Sequence, residues 1–247
     1  MIDRAVLLCA GAATRLRPLT DARPKCLLDV GGETILARAV RLLLAAGVKE
    51  LVIASGYRQE DVRAAMAGSP GKVSFCHNAD FARTQNAVSL HCCADALGGR
   101  SFFKLDGDVL FSGAVLDRLL ADDAPLSVAV ERSEHLGEEE MKVVTDGDDI
   151  RAFGKKLDPR RCAGESIGIE KIDAAASVLL FRALEQVVAA GRTDLYYEDV
   201  YSELIAAGMR AHAVDVTDLS WIEVDTADDL ARARQWATEG RLDVRKV

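Results

Sequence analysis

The sequence predicts an α/β fold. The expected form is a doubly wound, mostly parallel mixed sheet of Rossmann-like type, with helices on both faces and a small β-hairpin extension. Three observations carry that expectation. Short apolar runs alternate with helically periodic segments from Ala5 to Leu105, the pattern of a parallel sheet wrapped by helices. The 247 residues, 49% hydrophobic and 28% charged, suffice for one large core. Asp146-Gly147-Asp148 parts two short strand-like runs, a hairpin signal.

Each element follows from its own residues. Ala5–Leu8 reads as a buried strand. Ile35, Leu36, Ala39, Val40, Leu43 and Leu44 recur at helical spacing, and Gly47 ends that helix. Leu51–Ala54 is the second strand. Gln59–Met66 is a short helix whose acids Glu60 and Asp61 suit a helix N-terminus. Val73–Cys76 is the third strand, Asn86–Leu97 a helix, and Phe102–Leu105 a fourth strand ending in Asp106-Gly107-Asp108. After Pro125 come a strand at Leu126–Val130 and the hairpin of Lys142–Thr145 with Ile150–Phe153. Ser166–Ile172 is a strand, followed by a helix to about Ala190. Tyr197–Ala207 is a helix ended by Gly208. Ala211–Val216 and Trp221–Val224 are short strands, and Ala227–Ala237 is the last helix. No repeat or Pro/Ser-rich linker interrupts the chain. Residues 1–247 therefore read as one domain, with 1–124 as the nucleotide-binding half and 125–247 as the acceptor-binding half.

Bulk properties exclude several classes. The net charge of -8 argues against nucleic acid as a partner. No apolar run approaches the ~18–20 residues that span a bilayer. Met1-Ile2-Asp3-Arg4 runs straight into the first expected strand, so no signal peptide is expected. Cys9, Cys26, Cys76, Cys92, Cys93 and Cys162 form no C-x-x-C pair, so buried reduced thiols in a cytoplasmic protein are expected. His77, His91, His135 and His212 lie at no zinc-ligand spacing. Assembly into a homo-oligomer is left open.

Leu7-Leu8-Cys9-Ala10-Gly11-Ala12-Ala13-Thr14-Arg15-Leu16, followed by Arg23-Pro24-Lys25, is the most informative stretch. An apolar strand runs into a loop of small residues that lets backbone N–H groups approach a phosphate chain. Arg15 and Lys25 can neutralise that chain from two ends. Parallel sheets bind ligands at the carboxyl ends of their strands. This loop and the Asp-Gly-Asp turn therefore fall on one rim.

Taken in order, L-C-A-G-A-A-T-R-L…P-K, L-D-G-D-V and E-V-D-T-A-D-D-L resemble the nucleotidyltransferases that make sugar nucleotides and CDP-alcohols. Arg83–Leu90, Gly164–Ile169 and Tyr196–Val200 narrow the resemblance to cytidylyltransferases acting on phosphocholine, 2-aminoethylphosphonate or inositol 1-phosphate. The family loop commonly reads A-G-x-G-T-R. Here Ala13 replaces the second Gly and Cys9 stands where Ala is common.

The resemblance implies roles. Arg15 would meet the β- and γ-phosphates, and Lys25 would stabilise charge at the α-phosphate. Leu8, Cys9, Ala10, Gly11, Ala12, Ala13 and Thr14 would surround the nucleotide, with Asp106 holding the loop. Asp108 and Asp225 would ligate Mg²⁺, which prefers hard oxygens. Asp225 could instead cap the helix that follows it. Gln85, Asn86 and Ser89 would read the pyrimidine edge, with helix capping by Thr84 and Asn86 as the plain alternative. Lys142 and Lys155 would hold the acceptor phosphate. Glu165, Tyr197, Glu198, Asp199, Trp221 and Glu223 would form the acceptor pocket, where aromatic faces and carboxylates suit an alkylammonium. The expected partners are CTP and a small phosphorylated or phosphonate acceptor. The expected reaction is Mg²⁺-dependent in-line attack at the α-phosphorus. Alternatives are an inositol-1-phosphate or sugar-1-phosphate nucleotidyltransferase using CTP or UTP, and a non-catalytic nucleotide sensor.

Overall fold

In the computed structural model, which describes residues 2–242, a nine-stranded sheet runs through the molecule. Met1 and residues 243–247 of the expected domain lie outside the described residues. The elements are β1 (Arg4–Cys9), β2 (Asp29–Val30), β3 (Glu33–Thr34), α1 (Ile35–Ala45), β4 (Glu50–Ser55), α2 (Gln59–Ala65), β5 (Lys72–His77), α3 (Asn86–His91), α4 (Ala94–Leu97), β6 (Phe102–Asp106) and β7 (Val109–Phe111). There follow α5 (Ala114–Ala121), β8 (Leu126–Arg132), β9 (Lys142–Asp146), β10 (Asp149–Phe153), β11 (Gly164–Ile172), α6 (Ala174–Ala189), α7 (Tyr197–Ala206), β12 (Ala211–Asp215), β13 (Trp221–Glu223) and α8 (Ala227–Thr238).

The main sheet has the order β5-β4-β1-β6-β11-β8-β12-β10-β9. β5, β4, β1 and β6 are parallel, as the alternating pattern requires. Only β10 and β11 run against the other strands. Apolar clusters cover both faces. One packs α1 and α5 against β1, β4 and β6; the other packs α3, α6 and α7 on the opposite side. Strands sandwiched in this way bury nearly every side chain, which is why β4 reads as a continuous apolar run.

Some readings shift. The helix expected over Asn86–Leu97 breaks at Cys92-Cys93 into α3 and α4. The helix α5 and the small hairpin β2–β3 were not foreseen. Trp221–Glu223 does not join the main sheet. It pairs with β7 as a separate two-stranded sheet. Six free thiols are present, but Cys92 is exposed, contrary to the expectation of buried cysteines. No helix among the described residues is long and apolar enough to cross a membrane.

Candidate active site

The rim at the carboxyl ends of β1 and β6 opens into a cleft of about 860 Å³. After β1, the chain crosses it through Gly11 and Ala13. Ala13 sits in the left-handed region, at φ 46° and ψ 54°, the conformation that glycine ordinarily supplies. A single 3₁₀ turn, Thr14–Leu16, then drives Leu16 into the core and leaves Arg15 outside. A second turn at Lys25–Leu27, opened by Pro24, points Lys25 inward.

Lys25 is the hub of this rim. Its ammonium lies 2.8 Å from Asp108 Oδ2 and 2.5 Å from Asp225 Oδ1. Arg15 Nη2 lies 2.7 Å from the other oxygen of Asp225. Burial opposes charge on Lys25, but Asp108 and Asp225 outweigh it and push the ammonium above the ordinary lysine range. Burial would likewise raise Asp225. Lys25 first and then Arg15 hold its carboxyl below the usual carboxylate range.

The β7–β13 pairing brings a late segment of the second half onto the end of the first. Glu223 sits opposite Val109, and Val224 N–H donates to Asp108 O at 3.1 Å. Asp108, Glu223 and Asp225 thus place one carboxylate oxygen each within 4.8 Å of the others. Asp108 Oδ1 is buried and accepts from no group. Three hard oxygens of this kind could hold a divalent cation. Desolvation in the cleft, then Asp108 and Asp225, pushes Glu223 up to about 8. Asp225 is not the helix cap. Thr226 caps α8 in a capping box with Asp229, which leaves the Asp225 side chain to the cleft.

Gln85, Asn86 and Ser89 all line the cleft. Asn86 Oδ1 accepts from Tyr197 N–H at 3.0 Å, so Asn86 also ties α3 to α7. Ser89 Oγ accepts from Asn78 Nδ2 at 3.0 Å, a partner that sequence reasoning missed. Asp106 is locked at both oxygens, by Lys104 at 2.9 Å and by Tyr197 Oη–H at 2.8 Å.

Leu8, Cys9, Ala10, Gly11, Ala13, Thr14, Arg15, Lys25, Asp106 and Asp108 line the cleft together, but Ala12 does not. Of the residues expected to hold the acceptor, Lys155, Glu165, Glu198, Trp221 and Glu223 line the cleft, Glu223 beside Asp108 and Asp225, whereas Lys142, Tyr197 and Asp199 do not. Lys142 is buried, and its ammonium is spent on Lys155 O at 2.6 Å and Glu140 O at 3.4 Å. Tyr197 lies fully buried under the floor. Asp199 is the N3 residue of α7 and accepts from Tyr196 N–H at 2.8 Å. Tyr196, not Tyr197, reaches the cleft, with Lys155 Nζ 5.1 Å from its ring centroid.

Sequence reasoning also missed Glu131, Glu139 and Glu140, which line the same cleft. Glu165 faces Glu131 across the β11–β8 register. Burial, then Glu140 and Glu131, pushes Glu165 up to about 7. Glu139 lies 3.7 Å from Arg15 and 3.6 Å from Lys155. The one available signal was the Glu138-Glu139-Glu140 run just before β9.

Residues 5–211 match the MobA-like NTP transferase domain. The chain belongs to this family. Glu223 and Asp225 lie beyond the matched segment. A CMP-5'-(3-aminopropyl)phosphonate synthase of Streptomyces rubellomurinus is 35% identical over 93% of this chain and 38% of its own length. A bifunctional IPC transferase and DIPP synthase of Rubrobacter xylanophilus is 30% identical over 96% of this chain and 53% of its own length. The chain thus spans only part of the length of these relatives. The inositol-1-phosphate CTP transferase from T. maritima superposes with a TM-score of 0.80 at 20% identity, covering 97% of each chain. The CTP:phosphocholine cytidylyltransferase from Streptococcus pneumoniae gives 0.80 at 21% identity, covering 95% of this chain and 99% of that one. These likenesses establish the nucleotidyltransferase fold.

Proposed function

We propose that the chain is a cytidylyltransferase that joins CMP from CTP to an aminoalkylphosphonate, with release of pyrophosphate. The observation that carries this reading is the division of the cleft. One set gathers Arg15, Lys25, Asp108, Glu223 and Asp225, and a second gathers Glu131, Glu140 and Glu165, with Glu198 also in the lining. The first set suits a triphosphate. The second suits an ammonium. The aminopropylphosphonate synthase, at 35% identity, supports both the nucleotide and the acceptor class.

The acceptor oxygen would attack the α-phosphorus in line. The new P–O bond forms as the bond to the oxygen bridging to the β-phosphate breaks, and pyrophosphate carries the electron pair away. No side chain need act as base, because a phosphomonoester is largely dianionic near neutral pH and a phosphonate carries at least one negative charge on its oxygens. Lys25 would offset charge at the α-phosphate, and Arg15 would hold the terminal phosphates. Gln85 would contact the cytosine edge. Asp108, Glu223 and Asp225 fit Mg²⁺, since they offer oxygen donors and an unpartnered buried oxygen already faces the group. When bound, Mg²⁺ supplies further neutralisation of phosphate charge.

A primary ammonium fits better than a quaternary one. Quaternary groups favour aromatic cages. Here Trp221 lines the cleft, but Tyr197 is buried and Lys155 stands over Tyr196, while three carboxylates offer acceptors for N–H groups. Phosphocholine is therefore the second acceptor. An inositol phosphate, which the sequence resemblance also allows, is the third.

Pyrophosphate release with CTP and 3-aminopropylphosphonate, 2-aminoethylphosphonate, phosphocholine and inositol 1-phosphate tests the proposal. Turnover led by an aminoalkylphosphonate is expected. Turnover with inositol 1-phosphate alone would overturn the acceptor reading. CTP binding without turnover on any acceptor would make the chain a sensor.

A further inference from the structure

Beneath the cleft floor lies a charge cluster that no step above uses. Lys104, on β6, has no exposed surface. Its ammonium lies 2.9 Å from Asp106 Oδ1 and 3.2 Å from Glu170 Oε2, and 3.3 Å from the centroid of the Tyr197 ring. Glu170 is its direct partner in the β6–β11 register. Glu198, Tyr197 and Tyr201 close the cluster from α7.

Stability alone is a poor reason for this arrangement. A buried ion pair often adds nothing over well-packed apolar residues. Here one ammonium also contacts two carboxylates, Asp106 and Glu170, and a third, Glu198, lies within its electrostatic reach. Two of these, Asp106 and Glu198, line the cleft as well. Asp106 has both oxygens engaged. Glu198 is 4% exposed, and its Oε2 is buried with no hydrogen-bond partner. A carboxylate so placed needs a nearby cation to stay charged, and Lys104 is the one the cluster contains.

We propose that Lys104 is a positioning residue for the acceptor, a cation sealed below the floor that fixes Asp106 and keeps Glu198 able to carry negative charge toward an incoming ammonium. This rests on the aminoalkyl reading above. Burial pushes Glu198 up to about 7, Lys104 pulls it down, and Asp106 pushes it up again. Taking the cation away therefore moves Glu198 further toward its neutral form.

Lys104→Met alone strands Glu170, so the informative variant is Lys104→Met with Glu170→Gln, which removes both charges of the strand pair. Glu198 is followed by carboxyl ¹³C NMR in the free protein, assigned with Glu198→Gln. Kinetics use CTP and 3-aminopropylphosphonate. The expected double variant folds and binds CTP within about twofold of the parent. Its acceptor KM rises about tenfold or more, with a smaller change in kcat. Its Glu198 titration moves up by about one pH unit or more. An acceptor KM within twofold of the parent, together with an unmoved Glu198, would overturn the proposal. So would a parallel rise in both substrates' constants with lost thermal stability, which marks a structural role. If the double variant does not fold, the parent decides. Glu198 deprotonating near pH 7 supports the role of Lys104, and Glu198 still protonated above pH 9 refutes it. The NMR arm needs no turnover, so a parent inactive on every amine acceptor counts against the function reading alone.

Discussion

Lys25→Met is the sharpest test of the rim. The methionine keeps the aliphatic stem but removes a cation shared by Asp108 at 2.8 Å and Asp225 at 2.5 Å. Breaking a buried pair costs about 3–5 kcal/mol, because the partner charges stay behind. The Lys25 side chain is 11% exposed and the two carboxylates 26% each, so partial solvation favours the low end. We therefore expect a loss of about 3 kcal/mol, or a fall in Tm of roughly 6–12 °C for a domain of this size. The pH dependence has a fixed sign. The pKa of Lys25 is raised on folding, so its contribution is complete below the unfolded value of about 10.4 and fades only above it. The pKa of Asp225 is depressed, so the gap between parent and variant narrows as pH falls below about 4. Lys25 also occupies the oxygens a divalent cation would use. Millimolar Mg²⁺ should thus raise the Tm of the variant more than that of the parent. Turnover should drop by about 10²–10³-fold, with a modest effect on CTP affinity. Thermal unfolding across pH 3–9 with and without Mg²⁺, alongside calorimetric CTP binding, reads all of this. A loss below about 1 kcal/mol, or equal Mg²⁺ shifts in both proteins, would refute the reasoning.

Further expectations concern single positions. Ala13→Gly should stabilise by up to about 1 kcal/mol in chemical denaturation, because the left-handed penalty of about 1–2 kcal/mol exceeds glycine's entropic cost of about 0.5–1. Gly168→Ala should destabilise by about 2 kcal/mol or more, since φ is +74° and a Cβ there would collide with Asp106 Oδ2. Mg²⁺ affinity should climb as pH rises toward 8, because Glu223 must shed its proton to serve as a ligand, and Glu223→Gln should flatten that slope in a metal titration. Tyr197→Phe should cost about 1–2 kcal/mol by freeing one oxygen of Asp106, read by thermal unfolding.

Much of this was legible in the sequence because it is local. Strand–helix alternation fixed β1, β4, β5 and β6 and their common direction, and that direction put Arg15, Lys25 and Asp108 on one rim. What escaped was set by pairing between distant segments. Nothing near Trp221 says that its strand leaves the main sheet for β7, which is what moves Glu223 from the acceptor end to the side of Asp108 and Asp225. Nothing near Tyr197 says that it turns under the floor while Tyr196 faces the cleft, since both are adjacent aromatics at the start of the same helix. Lys142 alternates like an exposed hairpin residue, yet β9 also pairs with β11, and that second contact buries it. The acids Glu131 and Glu140 gain meaning only through the β8–β11 register and the cleft wall.

The clip between β7 and β13 has a consequence for how the protein is made. Asp108 emerges from the ribosome early, with the nucleotide half around it. Glu223 and Asp225 emerge more than a hundred positions later, on and just after the strand that pairs with β7. Until then only Asp108 of the triad is in place, and Lys25 lacks its second partner, Asp225. A nascent or proteolysed chain ending before Trp221 would keep most of the sheet and none of the assembled triad, so chemistry at this site doubles as a report that the chain has been made at least as far as Asp225.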